Sequence, residues 1–154
     1  MAILRLSHLG VCVADLERSL RFWRDGLGFR ERSSLDVSGD AAQTLLSLRD
    51  VKLRAVYLER DDLRLELLHF VSPAARNGVA PRPMNELGLT HLSVRVDDLD
   101  AALAHLGACG GRVLDGTRIT LGAARTRAAF VTDPDGTRVE LVEAPGDPAA
   151  LPGE

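Results

Sequence analysis

The sequence predicts an α+β protein of two βαβββ modules related by pseudo-twofold symmetry, with a curved mixed sheet around a cavity. The first observation is an internal repeat: HLGVCVADLERSL from His8 aligns without gaps on HLSVRVDDLDAAL from His91. The second is a match between RLELL at 64–68 and RVELV at 138–142. The third is that strand-like segments and one amphipathic helix recur in the same order in both halves. Each half therefore begins with a histidine and ends with a glutamate.

The first half has the predicted order β-α-β-β-β. Residues 3–13 alternate and are rich in Val, Leu and Ile, which predicts a strand, and Asp15 is a suitable N-cap for the following helix. The apolar face of that helix consists of Leu16, Leu20, Trp23 and Leu27. Strand-like segments follow at 29–37, 51–59 and 63–70, with a further candidate strand at 41–48.

The second half repeats this order. Residues 89–96 predict a strand, and Asp98 caps a helix whose apolar face is Leu99, Leu103 and Leu106. Strands are predicted at 112–120, 124–132 and 137–143, and the last two are joined by the turn sequence DPDG. The domain organisation is then a first module at 1–70, a Pro- and Gly-containing linker at 71–88, a second module at 89–144 and a C-terminal tail at 145–154.

Composition restricts the classes of partner. The chain has 154 residues, a net charge of −3 and no run of Lys or Arg, which argues against nucleic-acid or membrane binding. The N-terminal segment lacks a signal peptide's apolar block, and no apolar run approaches the roughly 20 residues that span a bilayer. We therefore expect a cytoplasmic protein. Cys12 and Cys109 do not form a CxxC pair, so a metal ion would have to bind to histidines and carboxylates.

Strand alternation places the repeated histidines and glutamates on the faces that the helices leave free. If the modules pack about a pseudo-twofold axis, the two faces meet and four groups form one site. These candidate metal ligands are His8, Glu66, His91 and Glu140. Imidazole and carboxylate suit Zn²⁺, Ni²⁺, Co²⁺, Mn²⁺ and Fe²⁺ without choosing among them. The other two histidines, His69 and His105, have no counterpart in the repeat and are assigned no metal role.

These segments make the sequence resemble the vicinal oxygen chelate superfamily, which includes glyoxalase I, methylmalonyl-CoA epimerase, extradiol dioxygenases and the bleomycin and fosfomycin resistance proteins. The resemblance extends from about Leu4 to Glu143 and rests on HLGVCVADLERSLRFWRDGLGFR, LELL, THLSVRVDDLDAAL and AAFVTDPDGTRVELVE. It implies paired modules around a divalent metal ion, with the four candidate residues at the ligand positions. It also implies a homodimer and a small-molecule substrate that binds the metal through two adjacent oxygens.

The resemblance further implies an activity of the glyoxalase I or epimerase type, a lyase or isomerase reaction in which the metal stabilises an enolate-like charge. Glu140 matches the glutamate that acts as base in such enzymes, with Glu66 as its partner in the other module. Two alternatives stay open. An Fe(II) extradiol dioxygenase would need only His8, His91 and Glu140, and a drug-binding resistance protein would bind without turnover.

Two positions depart from the pattern of bacterial glyoxalase I. Those enzymes generally carry an arginine where Cys12 stands and an asparagine where Phe70 stands, and both help to hold glutathione. These departures argue against a glutathione hemithioacetal and leave the substrate open. Residues 37–49 are longer than a simple connection and are interpreted as a lid facing the substrate or as a short helix.

Overall fold

The computed structural model describes residues 1–76, 80–122 and 125–150. The chain divides into two compact units, Met1–Gly78 and Val79–Glu154. Each unit contains one four-stranded mixed sheet. No helix among the described residues is long and apolar enough to cross a membrane.

The first unit follows the predicted order with one added helix. Its elements are β1 (Leu9–Val13), α1 (Leu16–Leu20) with a π-helical continuation (Arg21–Gly26), β2 (Arg30–Ser38), α2 (Asp40–Leu46), β3 (Lys52–Arg60) and β4 (Leu63–Ser72). The strand order in the sheet is β1-β4-β3-β2. β1 is parallel to β4, whereas the other neighbours are antiparallel. The parallel pair brings the first strand of the unit beside its last.

The second unit has the same topology. Its elements are β5 (Leu92–Val96), α3 (Leu99–Ala108), β6 (Arg112–Leu121), β7 (Thr126–Thr132) and β8 (Arg138–Glu143). The strand order is β5-β8-β7-β6, and β5 is parallel to β8. The α+β class and the paired βαβββ modules are therefore confirmed. The predicted linker at 71–88 and tail at 145–154 stay predictions, because residues 77–79 and 151–154 lie outside the described part of the chain.

Both predicted opening strands begin later than their sequence pattern indicates. β1 begins at Leu9 rather than at residue 3, and β5 begins at Leu92 rather than at residue 89. The length of the partner strand determines where each opening strand can begin. In the parallel register Leu9 pairs with Leu65, so residues 3–6 would have to pair with 59–62, which are the last residues of β3 and the turn that follows it. The alternating side chains of that segment stay exposed, and His8 and His91 each lie just before a strand.

The candidate strand at 41–48 is wrong, since this stretch forms α2. Gly39, with φ of 87°, precedes the helix, and Ser47 in the left-handed region ends it. Ala42 is buried against the apolar side chains Val51, Leu53 and Ala55, and Tyr57, Leu68 and Phe70 pack beside them. The short-helix interpretation of 37–49 is thus correct. The helix packs on the same sheet face as Tyr57, although its contact with a substrate stays a prediction.

The predicted helix caps are present. The side chain of Asp15 accepts a hydrogen bond from the backbone N–H of Arg18, and that of Asp98 accepts one from Ala101, both at 3.0 Å. After α1 the backbone widens to a π-helix, in which the N–H of Leu27 donates to the carbonyl of Phe22, five residues earlier. The helical stripe therefore continues to the glycines, as predicted.

The main cores lie on the sheet face opposite α2 in the first unit and on the sheet face that contacts α3 in the second unit. In the first unit the fully buried side chains include Val13, Phe22, Trp23, Leu58, Leu65 and Leu67. In the second unit they include Leu99, Leu103, Val131, Val139 and Leu141. Because side chains alternate along a strand, burial of Leu65 and Leu67 places Glu66 on the opposite face. Glu140 likewise lies on the face opposite the buried side chains of Val139 and Leu141.

Candidate functional site

The first unit brings His8 and Glu66 together. Gly10 pairs with Glu66 across the parallel strands, and the preceding residue of the same parity is His8. The imidazole Nε2 lies 3.2 Å from Oε2 of Glu66, while Nδ1 lies 3.0 Å from the hydroxyl of Ser7. The histidine side chain is 33% exposed and the glutamate side chain 16% exposed. Water and a small molecule can therefore reach the pair.

The second unit contains the equivalent pair. Nε2 of His91 lies 3.8 Å from Oε2 of Glu140, and Nδ1 lies 2.9 Å from the hydroxyl of Thr90. In both units a hydroxyl of the preceding residue contacts Nδ1, so Nε2 is the nitrogen that faces the carboxylate. A metal-binding histidine commonly has its second nitrogen hydrogen-bonded in this way, which fixes the orientation of the ring.

A tyrosine orients the carboxylate of the first unit. Tyr57 in β3 pairs with Glu66 in β4, and its hydroxyl donates a 2.5 Å hydrogen bond to Oε1. The edge of one ring contacts the face of the other between Tyr57 and His8, with 5.3 Å between centroids. The hydrogen bond to Glu66, assisted by burial, raises the pKa of Tyr57 to about 12. The phenol therefore stays protonated and continues to donate at neutral pH.

In the second unit a serine donates the hydrogen bond that orients the glutamate carboxylate. Phe130 pairs with Glu140 where Tyr57 pairs with Glu66, and it keeps the perpendicular ring contact with the histidine at 5.4 Å. Phenylalanine lacks a hydroxyl, and the donor is instead Ser93 on β5, whose Oγ lies 2.7 Å from Oε2 of Glu140. The position equivalent to Ser93 in the first unit is a glycine. Each glutamate thus has one hydroxyl donor, supplied from opposite sides.

The donor atoms of the first unit lie at a distance that suits a divalent metal ion. An ion bonded to one nitrogen and one oxygen at about 2.1 Å, with an angle of about 90–110°, holds those atoms about 3.0–3.4 Å apart. The Nε2–Oε2 distance of 3.2 Å in the first unit lies in this range, and the 3.8 Å of the second unit is slightly longer. Within the described residues, no three His, Cys, Asp or Glu side chains form a group that could hold an ion. That all four candidate ligands meet at one ion stays a prediction.

The remaining histidines lie elsewhere. Nδ1 of His69 is 3.4 Å from the carbonyl oxygen of Val13, and Nε2 of His105 is 4.0 Å from Sγ of Cys109. Neither is paired with a carboxylate among the contacts of the described residues. They provide natural controls for experiments on His8 and His91.

The residues that support the ligands were not predicted from the sequence. The hydroxyls that contact Nδ1, Ser7 and Thr90, were visible by extending the repeat one residue towards the N-terminus. Tyr57 and Ser93 had no such signal, because one module has each residue and the other does not. Their role depends on which strands pair and in what register.

Two curated proteins are similar to almost the whole chain. An uncharacterised protein of Escherichia coli K12, YaeR, is 30% identical over 143 residues, which covers 93% of this chain and 98% of YaeR. A lactoylglutathione lyase of Haemophilus influenzae is 28% identical over 141 residues, covering 91% of this chain and 93% of the lyase. Neither alignment is confined to one unit.

Solved structures share the fold. A glyoxalase family protein from Bacillus cereus superimposes with a TM-score of 0.80 at 20% identity, covering 95% of this chain and 97% of the other. The fosfomycin resistance protein FosX from Listeria monocytogenes, complexed with Mn(II) and sulfate, gives a TM-score of 0.55 at 18% identity, covering 92% and 93%. The family model of the Glyoxalase/Bleomycin resistance protein/Dioxygenase superfamily matches residues 5–141. With repeated βαβββ units and a histidine–glutamate pair in each, the chain belongs to this superfamily.

Proposed function

We propose that this chain is a divalent-metal-dependent enzyme of the glyoxalase I or epimerase type. It would act as a lyase or isomerase that moves a proton at a carbon beside two adjacent oxygens of a small substrate. The observation that carries the proposal is the histidine–glutamate pair at equivalent positions of both units. Membership of the superfamily and the manganese complex of FosX support it. The ligands of the ion, which would be Zn²⁺, Ni²⁺, Co²⁺, Mn²⁺ or Fe²⁺, are His8, Glu66, His91 and Glu140.

Within each unit, the residues beside the histidine orient its ring for binding an ion. Ser7 and Thr90 occupy Nδ1 of the two histidines, so each Nε2 is available as a ligand. Two ionised glutamates balance the charge of one divalent ion. When bound, the ion supplies Lewis-acid catalysis by making a neighbouring carbon-bound proton more acidic.

Glu140 is the proposed base, and Glu66 the more firmly held ligand. The side chain of Glu66 is 16% exposed and accepts the short hydrogen bond from Tyr57. The side chain of Glu140 is 29% exposed and accepts a hydrogen bond from the smaller side chain of Ser93. A carboxylate that exchanges protons with a substrate needs access and freedom to move, which favours Glu140.

Metal titration of chelator-treated protein tests the ligand assignment. We expect one divalent ion per chain, measured by calorimetry and elemental analysis, because two pairs contribute to one site. His8→Ala and His91→Ala should each abolish tight binding, whereas His69→Ala and His105→Ala should not. Binding of two ions per chain would show two independent pairs, and unchanged binding in His8→Ala would refute the assignment.

Proton exchange tests the reaction. α-Hydroxy ketones and the hemithioacetal of methylglyoxal and glutathione are incubated in D₂O, and NMR follows metal-dependent loss of the carbon-bound proton. Glu140→Gln should slow exchange by about 10² or more, the contribution of a general base. Metal-dependent ring cleavage of catechols by the Fe(II)-loaded protein under oxygen would instead support a dioxygenase. Drug binding that is insensitive to chelator would support a sequestering protein.

We also propose that the protein is a homodimer that acts on small molecules, as relatives in the superfamily suggest. Light scattering at micromolar concentration should give about twice the 16.6 kDa mass of the chain. A monomer that still binds one ion would separate assembly from metal binding.

A further inference from the structure

A small cavity of the first unit lies beside His8. It has a volume of about 300 Å³, at the lower end of the range for small-molecule sites. Ser7, His8 and Tyr57 line one part, and Arg32, Glu59 and Arg64 line another. The cavity therefore extends from the proposed ligand pair to a group of charged side chains that the proposed reaction does not use.

Strand register fixes the distance between these two parts. Tyr57 pairs with Glu66, and the next pair on the same face is Glu59 with Arg64. Consecutive pairs on one face are two residues apart, which corresponds to about 7 Å along an antiparallel strand. Arg64 is thus two residues along β4 from Glu66, the carboxylate that would hold the metal, and on the same face of the sheet. In the opposite direction the face becomes apolar and is covered by α2.

A bulge adds a second guanidinium. Between Glu31 and Ser33 the register of β2 with β3 shifts, and Arg32 is the extra residue. A bulge redirects a side chain out of the regular alternation of the strand. Nε of Arg32 lies 3.1 Å from Oε2 of Glu59, while Nε of Arg64 lies 3.1 Å from Oε1. Both arginines therefore converge on one carboxylate from two neighbouring strands.

The charges in this part of the cavity do not balance. Two guanidiniums and one carboxylate leave a net charge of +1 (2 − 1). Each guanidinium uses Nε for Glu59, and its terminal NH₂ groups have no protein partner among the contacts of the described residues. Arginine NH₂ groups in this arrangement suit the two oxygens of a carboxylate.

We propose that this group, Arg32, Arg64 and Glu59, binds a carboxylate at the far end of the substrate, one residue pair along the sheet (about 7 Å of backbone) from the Tyr57–Glu66 pair. The inference rests on the proposed function and adds the substrate class to it: a small acid with two adjacent oxygens at one end and one carboxylate at the other. Glu59 holds the two guanidiniums in place and balances one of their two charges. A single anionic group is therefore the matching ligand.

Paired hydroxamates test the proposal on the nickel-loaded full chain. A hydroxamate supplies two adjacent oxygens, and glutaric acid monohydroxamate adds a carboxylate at the other end of a short, flexible chain. Its methyl ester is the neutral control of the same length. Calorimetry should show the acid binding about fivefold more tightly than the ester, the size expected for a partly exposed ion pair. Raising the ionic strength should reduce this preference.

Variants assign the preference to residues. Arg64→Gln should reduce the acid-to-ester ratio below about twofold while the ester binds as before. Arg32→Gln, on a more exposed side chain, should reduce it less. Glu59→Gln should increase the ratio, because it removes the competing negative charge. Arg54→Gln is the matched control, since Arg54 has opposite parity on β3 and pairs with Asp36.

The outcomes separate the two proposals. Equal affinity of the acid and the ester in the unaltered protein, or a preference that survives both arginine changes, would overturn the carboxylate site and leave the metal site standing. Failure of both hydroxamates to bind in a nickel-dependent manner would overturn the metal site, and the substrate class with it.

Discussion

The Tyr57→Phe substitution isolates the hydroxyl that holds Glu66. The ring and its perpendicular contact with His8 remain, and only the 2.5 Å hydrogen bond is lost. A hydrogen bond to a charged acceptor contributes about 1.5–3 kcal/mol, and the 16% exposure of Glu66 allows water to replace it only in part. We expect the free energy of unfolding of the metal-free protein to fall by about 1–2 kcal/mol, measured by urea denaturation.

The same change should weaken metal binding. Loss of a group that orients a metal ligand typically reduces metal affinity by about 10–100-fold. Because only one of the four proposed ligands is affected, we expect the metal affinity of Tyr57→Phe to fall by about tenfold. Competition titration against a chelator of known affinity measures it. Ser93→Ala removes the corresponding hydroxyl from Glu140, and its effect should be smaller because that carboxylate is more exposed.

A rescue variant tests whether the two units are equivalent at this position. Phe130 pairs with Glu140 as Tyr57 pairs with Glu66, so Phe130→Tyr in the Ser93→Ala background should restore a donor and recover metal affinity. Absence of recovery would show that the two units are not equivalent at this position. A Tyr57→Phe protein with unaltered stability and metal affinity would refute the role assigned to the phenol.

Two further predictions concern α3 and its surroundings. Asp98→Ala removes the N-cap and should lower the free energy of unfolding by about 1 kcal/mol, whereas the neighbouring Asp97→Ala should have little effect in the same urea experiment. Hydrogen bonds from two arginines hold the pKa of Asp100 below its usual value, with the larger contribution from Arg127 and the smaller from Arg118. The carboxyl therefore stabilises the fold above its unfolded pKa of about 4 and loses this contribution as the pH falls through its lower folded value. Asp100→Asn should lower the urea midpoint at pH 7 and have a smaller effect near pH 3, and an equal effect at both pH values would contradict the pairing.

The repeat made the two histidine–glutamate pairs predictable from sequence. Alternation gave the correct face for Glu66, because Leu65 and Leu67 on either side are buried. It failed at residues 3–6, since an alternating pattern does not show where the partner strand ends. The turn after β3 decides that point, and it lies more than fifty residues away in sequence.

Groups that act across strands were not predictable. Tyr57 and Ser93 reach their glutamates from different neighbouring strands, and the position equivalent to each is a residue without a hydroxyl. Arg32 owes its direction to a bulge, which no periodic pattern reveals. Sequence repetition therefore predicts what the two units share, while the features that distinguish them depend on register.

The parallel pairing of β1 with β4 makes metal binding at the proposed site depend on how firmly the edge strand β1 is held in its sheet. His8 and Glu66 are 58 positions apart (66 − 8), yet their side chains lie 3.2 Å apart. β1 has a neighbour on one side only within its sheet, and such strands fray at lower free energy than central ones. An ion joining these two residues would close a loop around most of the unit, as a cross-link does. Metal binding would therefore stabilise the docking of β1, the chain's first strand. Amide hydrogen exchange in β1 should slow on metal binding more than exchange in β3.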